Sequence, residues 1–170
     1  ELLYVAALNG TLYALDKRTG QLDGRGWSVN VGNPAEPSSL VSGVSLSPDK
    51  SIVVIGSEDG NLYAYDARTG VLRPGYPFEG PEDMIWSTPV INNGVVYFGS
   101  HDNNIYAVDL LSGTEKWRRE TGGAVIASPL IFKNRVIVGS FDRKLYVLRE
   151  ENGIPVWGDQ SSFPGMNNFK

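Results

Sequence analysis

Cysteine is missing from these 170 residues, and histidine appears once, at His101. No disulfide framework, thiolate metal site or cysteine nucleophile is therefore available. A lone histidine also excludes a histidine-pair metal centre, and no motif places a Ser-His-Asp triad around it. His101 falls in a turn and reads as a surface residue. Long apolar runs are missing too: the longest are strand-length, so none is a membrane-spanning helix. Positive charge is scarce. The net charge is −4, and the densest basic cluster, "KWRRE" from Lys116 to Glu120, is interleaved with acids. That balance argues against nucleic acid or an anionic membrane as partner. There is no leader peptide and no initiating Met; the opening "ELLYVAAL" already reads as a strand. The chain is therefore expected to begin inside a larger native sequence.

What is present is apolar, aromatic and turn-rich: 41% hydrophobic residues, 11% aromatic, 20 Gly and 10 Pro. This composition suits a β protein rather than a disordered chain. At this length one domain with a real core can form, burying about 70% of the surface its unfolded chain exposes.

The chain repeats itself. "NGTLYALDKRTGQ" (Asn9 to Gln21) returns as "DGNLYAYDARTGV" (Asp59 to Val71), then as "NNIYAVDLLSGTEKW" (Asn103 to Trp117) and "RKLYVLREENGIPVW" (Arg143 to Trp157). Tyr13, Tyr63, Tyr106 and Tyr146 form one column; Gly20, Gly70, Gly113 and Gly153 form another, and both step by 50, 43 and 40 residues. Such a period signals a solenoid, array or propeller, and strand content decides among them. In the third unit "WSTPVIN", "VVYFGS", "IYAVD" and "TEKWRRE" read as four short strands joined by tight turns. No segment carries a helical apolar period. The units span about 1–32, 38–80, 85–122 and 125–160, and the tail 161–170 reads either as a strand closing the ring or as the start of a missing blade. A lone sheet of this kind has two apolar faces; stacking its neighbours radially buries both. The predicted fold is an all-β propeller of four-stranded antiparallel blades, about four of them present, as part of a larger or oligomerically completed ring.

Asn9-Gly10 and Asp59-Gly60 predict two-residue type I′ hairpins between the second and third strands. Asn103-Asn104 takes that place in the third unit. Arg143-Lys144 does not fit, which predicts a looser turn. Asp16, Asp66 and Asp109 each precede a column glycine by four residues, so a structural turn role, with Asp accepting backbone N–H groups, is the reading rather than a metal or catalytic one. Trp117 and Trp157 lie four residues after the column glycine and read as inter-blade packing. The first two units displace that aromatic, to Trp27 and to Tyr76 or Phe78.

The stretch "AVDLLSGTEKW", Ala107 to Trp117, resembles the tryptophan-docking motif of quinoprotein-like β-propellers built from pyrroloquinoline-quinone-type repeats, with Ser112 in place of Thr. The resemblance runs from Leu2 to about Trp157, and "RPGYPF" is similar to a variant common in secreted bacterial propellers. It implies the fold and a periplasmic, cell-envelope or secreted location. It leaves function open, because the family includes cofactor-dependent alcohol dehydrogenases, outer-membrane assembly scaffolds and sensor domains of kinases.

Blade construction accounts for nearly every notable residue, so the first reading is a non-catalytic scaffold or interaction module with no cofactor. Its partners would be other proteins or further blades, including a second copy that completes the ring. The alternatives are a fragment of a quinone-dependent dehydrogenase, whose Ca²⁺ ligands no motif places here, and a metal- or glycan-binding module using the oxygens of "EGPED" or "SEDGN". If a partner docks, Tyr76, Phe78, Met84, Ile85 and Trp86 in a long inter-blade connection are the candidate contacts, with core packing the competing role for each. Ser87, Thr88, Ala127 and Ser128, on the opening strands, are expected to line the central channel.

Overall fold

The computed structural model describes residues 1–22 and 24–156. Thirteen strands and no helix are found there, so no helix is long and apolar enough to cross a membrane. The strands form four antiparallel sheets in chain order. β1 (Leu2–Ala6), β2 (Thr11–Asp16) and β3 (Trp27–Asn30) make the first blade; β4 (Ser45–Leu46), β5 (Ile52–Gly56) and β6 (Leu62–Asp66) the second. The third holds β7 (Val90–Asn92), β8 (Val95–Gly99), β9 (Asn104–Asp109) and β10 (Glu115–Glu120); the fourth, β11 (Leu130–Phe132), β12 (Arg135–Gly139) and β13 (Leu145–Arg149).

Among the described residues, only the third blade has all four strands as continuous ladders. In the second blade the outer strand is reduced to the bridges Tyr65↔Leu72 and Leu62↔Phe78, and in the fourth its described part shows the bridge Leu148↔Pro155. Prolines interrupt these segments: Pro74 and Pro77, and Pro155, cannot donate to a ladder. The outer strand β10 has none, and pairs with β9 over its length with one irregularity between Glu115 and Trp117.

Alternation along each strand sends successive side chains to opposite neighbours. From β5, Val53 and Ile55 join Leu12, Val31 and Leu40 between the first and second blades. Ile52 and Val54 turn the other way, towards Val96, Phe98 and Tyr106 of the third. Trp117, Val95 and Tyr97 then meet Val136, Tyr146 and Leu148 of the fourth. The core is thus three slabs between four sheets, as radial stacking requires.

The hairpins between second and third strands differ from the sequence expectation. Positive φ occurs at Gly10, Gly60, Asn103 and Arg143, and not at the residue before each. A type I′ turn needs two such residues; one residue in that region after a type I turn is the three-residue hairpin with a bulge. The turn is therefore one residue longer, and the third and fourth units are in register through Asn103 and Arg143 rather than Asn104 and Lys144. The fourth turn is not looser. Arg143 N–H donates to the Ser140 carbonyl at 3.0 Å, and Ser140 N–H to that of Lys144 at 3.0 Å, matching Gly60 to Ser57 and Ser57 to Asn61.

Candidate functional site

The Asp carboxylates of the repeat are occupied by their own blade, whereas His101 Nε2 is buried without a hydrogen-bond partner. The Asp66 carboxylate accepts from Thr69 N–H (2.8 Å), the Thr69 hydroxyl (2.7 Å) and Arg68 N–H (3.1 Å). Asp109 repeats this with Ser112 and Leu111, and Asp16 with Arg18 and Thr19. These bonds favour the ionised form, so all three carboxyls lie below the usual range. The leading cause is the Thr69 hydroxyl at Asp66, Ser112 N–H at Asp109 and Arg18 N–H at Asp16.

The glycine that ends this turn is where the previous blade's aromatic lands. A Cβ on Gly70 would sit 2.7 Å from Trp27 Cδ2, and one on Gly153 would sit 2.6 Å from Trp117 Cε3. The indole N–H groups reach past the glycine to backbone carbonyls: Trp27 to Ala67 at 3.0 Å, Trp117 to Glu150 at 3.0 Å. Between the second and third blades a phenol substitutes. The Tyr76 hydroxyl lies 3.2 Å from the Leu110 carbonyl, and Gly75 packs directly on Gly113. Trp157, the next residue in the Trp117 column, lies outside the described residues.

A second recurring bond links the hairpin turn to the Tyr column. Tyr63 donates to Asp59 at 2.8 Å, Tyr106 to Asp102 at 2.5 Å and Tyr146 to Asp142 at 2.6 Å. Asp102 and Asp142 also accept the backbone N–H of Glu82 and Gly122, from the connection entering their own blade. Burial, reinforced by the Asp bond, pushes Tyr63 up to about 12 and Tyr106 still higher. Burial pulls Asp142 upward, but the bonds from Tyr146, Gly122 and Lys144 outweigh it and leave it lowered. This Asp, four residues before each column Tyr, was missed in the sequence. Its signal was the same 43- and 40-residue step, hidden because the first unit has Asn9 there.

The exposed chemistry gathers where those hairpin turns meet the inter-blade connections. Glu58, His101 and Phe141 donate their N–H groups to the carbonyls of Ser39, Met84 and Ala124. At this end Leu8 is 72% exposed and Phe141 65%, with Val41 and Trp86 also open. Trp86 meets His101 edge-on at 4.5 Å and donates its indole N–H to Glu58 at 3.1 Å.

These geometries match a known family. The family profile described as "Outer membrane protein assembly factor BamB" matches residues 1–157. The chain belongs to this PQQ-repeat propeller family. Among solved structures, BamB from Moraxella catarrhalis superposes with a TM-score of 0.73 at 24% identity, over 92% of this chain and 44% of that one. The computationally designed Ika8 protein gives 0.73 at 22% identity, over 95% and 48%. The designed Ika4 protein gives 0.67 at 24%, over 87% and 84%. A curated relative, quinohemoprotein alcohol dehydrogenase ADH IIB of Pseudomonas putida, is 34% identical over 93 residues, 47% of this chain and 13% of that protein. The chain thus spans about half of two solved relatives and a small part of the curated one.

Within the propeller the five candidate contacts separate. Ile85 is fully buried and fills the space above Gly56, and Tyr76 is buried in the second docking site. Phe78 packs edge-on against Phe98 and Tyr106 at 6.3 and 6.0 Å. Met84 is half-buried and Trp86 exposed, so those two present side chains to solvent. The opening-strand hydroxyls join blades: Ser87 donates to the Ala127 carbonyl, Thr88 Oγ1 accepts from Gly43 N–H and Ser128 Oγ from Thr88 N–H, each at 3.1 Å. Asp59 of "SEDGN" takes Tyr63, and Asp83 of "EGPED" takes Met84 N–H at 2.7 Å.

The family name raises the question of a quinone. Among the described residues no three Asp, Glu or His side chains gather as a cation site, and the repeat's Asp carboxylates are satisfied by turns and tyrosines. The described residues therefore do not by themselves make a quinone site with its divalent ion.

Proposed function

We propose that this chain is a non-catalytic part of a propeller that binds other proteins in an extracytoplasmic assembly, as the name of its family's assembly factor suggests. One observation carries the reading: the repeat's Asp carboxylates are occupied within the blades, while aromatic and aliphatic side chains stand open at one end of them. Leu8, Val41, Trp86 and Phe141 are of the kind that anchors protein interfaces. Trp86 is the central contact, held upright by His101 and Glu58.

The test is purification from the source at low salt, untagged, followed by native mass. The expected result is a larger assembly of fixed stoichiometry that Trp86→Ser with Phe141→Ser dissolves while far-UV circular dichroism stays unchanged. A second reading, a piece of a quinone-dependent dehydrogenase, has the partial relative in its favour. Alcohol-dependent dye reduction after reconstitution with quinone and Ca²⁺ would establish it and overturn the first.

A further inference from the structure

The internal junctions of the propeller share a packing column on the outer strand of the earlier blade. Its residue stands opposite the one that precedes the column Tyr. In the first blade it is Val29, opposite Leu12 and packed on the slab that holds Tyr63. In the second it is Phe78, bridged to Leu62 and edge-on to Tyr106 at 6.0 Å. In the third it is Arg119, opposite Ile105. Strand alternation turns Arg119 towards the fourth blade, the side that Ile105 and Trp117 face. A cation thus stands where the two preceding junctions hold an apolar side chain. Departures of this kind from a repeat's own rule tend to mark functional positions.

The junction has room at that point. A cleft of about 460 Å³ is lined by Arg118, Arg119, Glu120, Thr121, Gly122 and Tyr146. Arg119 Nε is buried without a hydrogen-bond partner, and no ion pair reaches Arg119 among the described residues. A guanidinium cannot shed its charge, and a buried charged donor left unmade is costly. The groups around it are taken. Arg118 lies over the Tyr106 ring and pairs with Glu115 at 2.9 Å. The Thr121 hydroxyl lies 2.8 Å from the Asn103 carbonyl and 2.7 Å from that of Gly123. Asp142 accepts the Tyr146 hydroxyl and Gly122 N–H.

We propose that this cleft binds a carboxylate on the Arg119 guanidinium, presented by a small acid or by an acidic side chain of a polypeptide. The charges select that chemistry. Among the described residues Arg119 is the one cation of the cleft without a partner, so it balances a single negative charge. A phosphate dianion would bring a second charge against Glu120 and Asp142. A planar carboxylate fits the guanidinium fork, one oxygen on Nε and the other on a terminal nitrogen. The cleft is of the size that small-molecule sites have. Binding here needs neither Trp86 nor the assembly proposed above.

Nitrogen-edited proton NMR of the arginine Nε–H groups in the whole chain tests it. The Arg119 signal is the one that Arg119→Gln removes. The probes are N-acetylglycine, as a free acid, and the blocked peptide acetyl-Gly-Glu-Gly-amide. The controls are acetyl-Gly-Gln-Gly-amide and sodium chloride at equal ionic strength. The expected result is a saturable shift of the Arg119 signal with a carboxylate probe and none with either control. The tighter of the two probes identifies the source of the carboxylate. Followed at the backbone N–H groups of Thr121 and Gly122, Arg119→Gln should weaken binding at least about tenfold, with unchanged circular dichroism. Arg119→Lys, which keeps the charge and loses the fork, should fall between. The absence of a saturable shift overturns the proposal, and it is also what an acceptor supplied by the chain itself would give. A shift that chloride reproduces, or binding indifferent to Arg119→Gln, overturns it too. Should that variant unfold, the wild-type titration against the two controls decides.

Discussion

The first and third blades are written in the same repeat and end in different states. β8 is buried along its whole length, whereas β1 alternates between half-buried and exposed. Tyr106 is fully buried, stacked on Phe98 at 5.2 Å and bonded to Asp102; Tyr13, in the same column, is half-buried with Asn9 where the Asp would be. The residue types hardly differ. What differs, among the described residues, is the number of neighbouring blades, two against one. Burial in a stacked architecture belongs to the interface rather than the residue, and stability is approximately a sum over repeats and their junctions.

The largest expected effect breaks this pairing directly. Tyr106→Ala removes a ring from the slab between two sheets and leaves Asp102 short of a donor; it should cost about 3–5 kcal/mol by urea denaturation. Tyr13→Ala should cost under about 1 kcal/mol. Equal costs would mean that the outer face of the first blade is covered in solution.

A smaller effect sharpens the comparison at one glycine column. A Cβ on Gly99 would collide with the Val125 side chain and carbonyl, while Gly139 has nothing within 4 Å among the described residues. Neither has positive φ. Gly99→Ala should destabilise by about 1–3 kcal/mol through overpacking. Gly139→Ala should be neutral or stabilise by about 0.5 kcal/mol, since alanine restricts the unfolded chain. Loss of stability at Gly139 would place a further segment against the fourth blade.

The smallest effect appears only in alkali. Burial raises Tyr63, Tyr65, Tyr76, Tyr97 and Tyr106 above the usual phenol value. A raised phenol contributes stability that is whole below about pH 10 and is lost as pH rises through its folded value, because the unfolded chain ionises first. Phenolate absorbance should therefore rise late, with Tyr63 near pH 12, and coincide with unfolding. An early rise would mean the blade junctions admit water.

Much of this was legible in the residues. The 50-, 43- and 40-residue steps give the blades, and Asp66, Thr69 and Gly70 stand in the order a closing turn needs. The hairpin turns were not legible, because Asn-Gly and Asp-Gly suit either of two turn lengths, and the hydrogen-bond register between strands chooses. The fate of Met84, Ile85 and Trp86 was not legible either. Three consecutive apolar residues point to three directions, and only the position of Gly56 beneath Ile85 sends that one inward and leaves Trp86 at the rim.

By itself the sequence determined an antiparallel blade, its repetition, and the Asp and glycine that close each turn, because these follow from local backbone preference and strand alternation. Only the tertiary structure decided which faces are covered, which carboxylates are occupied by tyrosines, and which aromatics remain at the surface. Those depend on the distance between one sheet and the next, a quantity no single repeat contains.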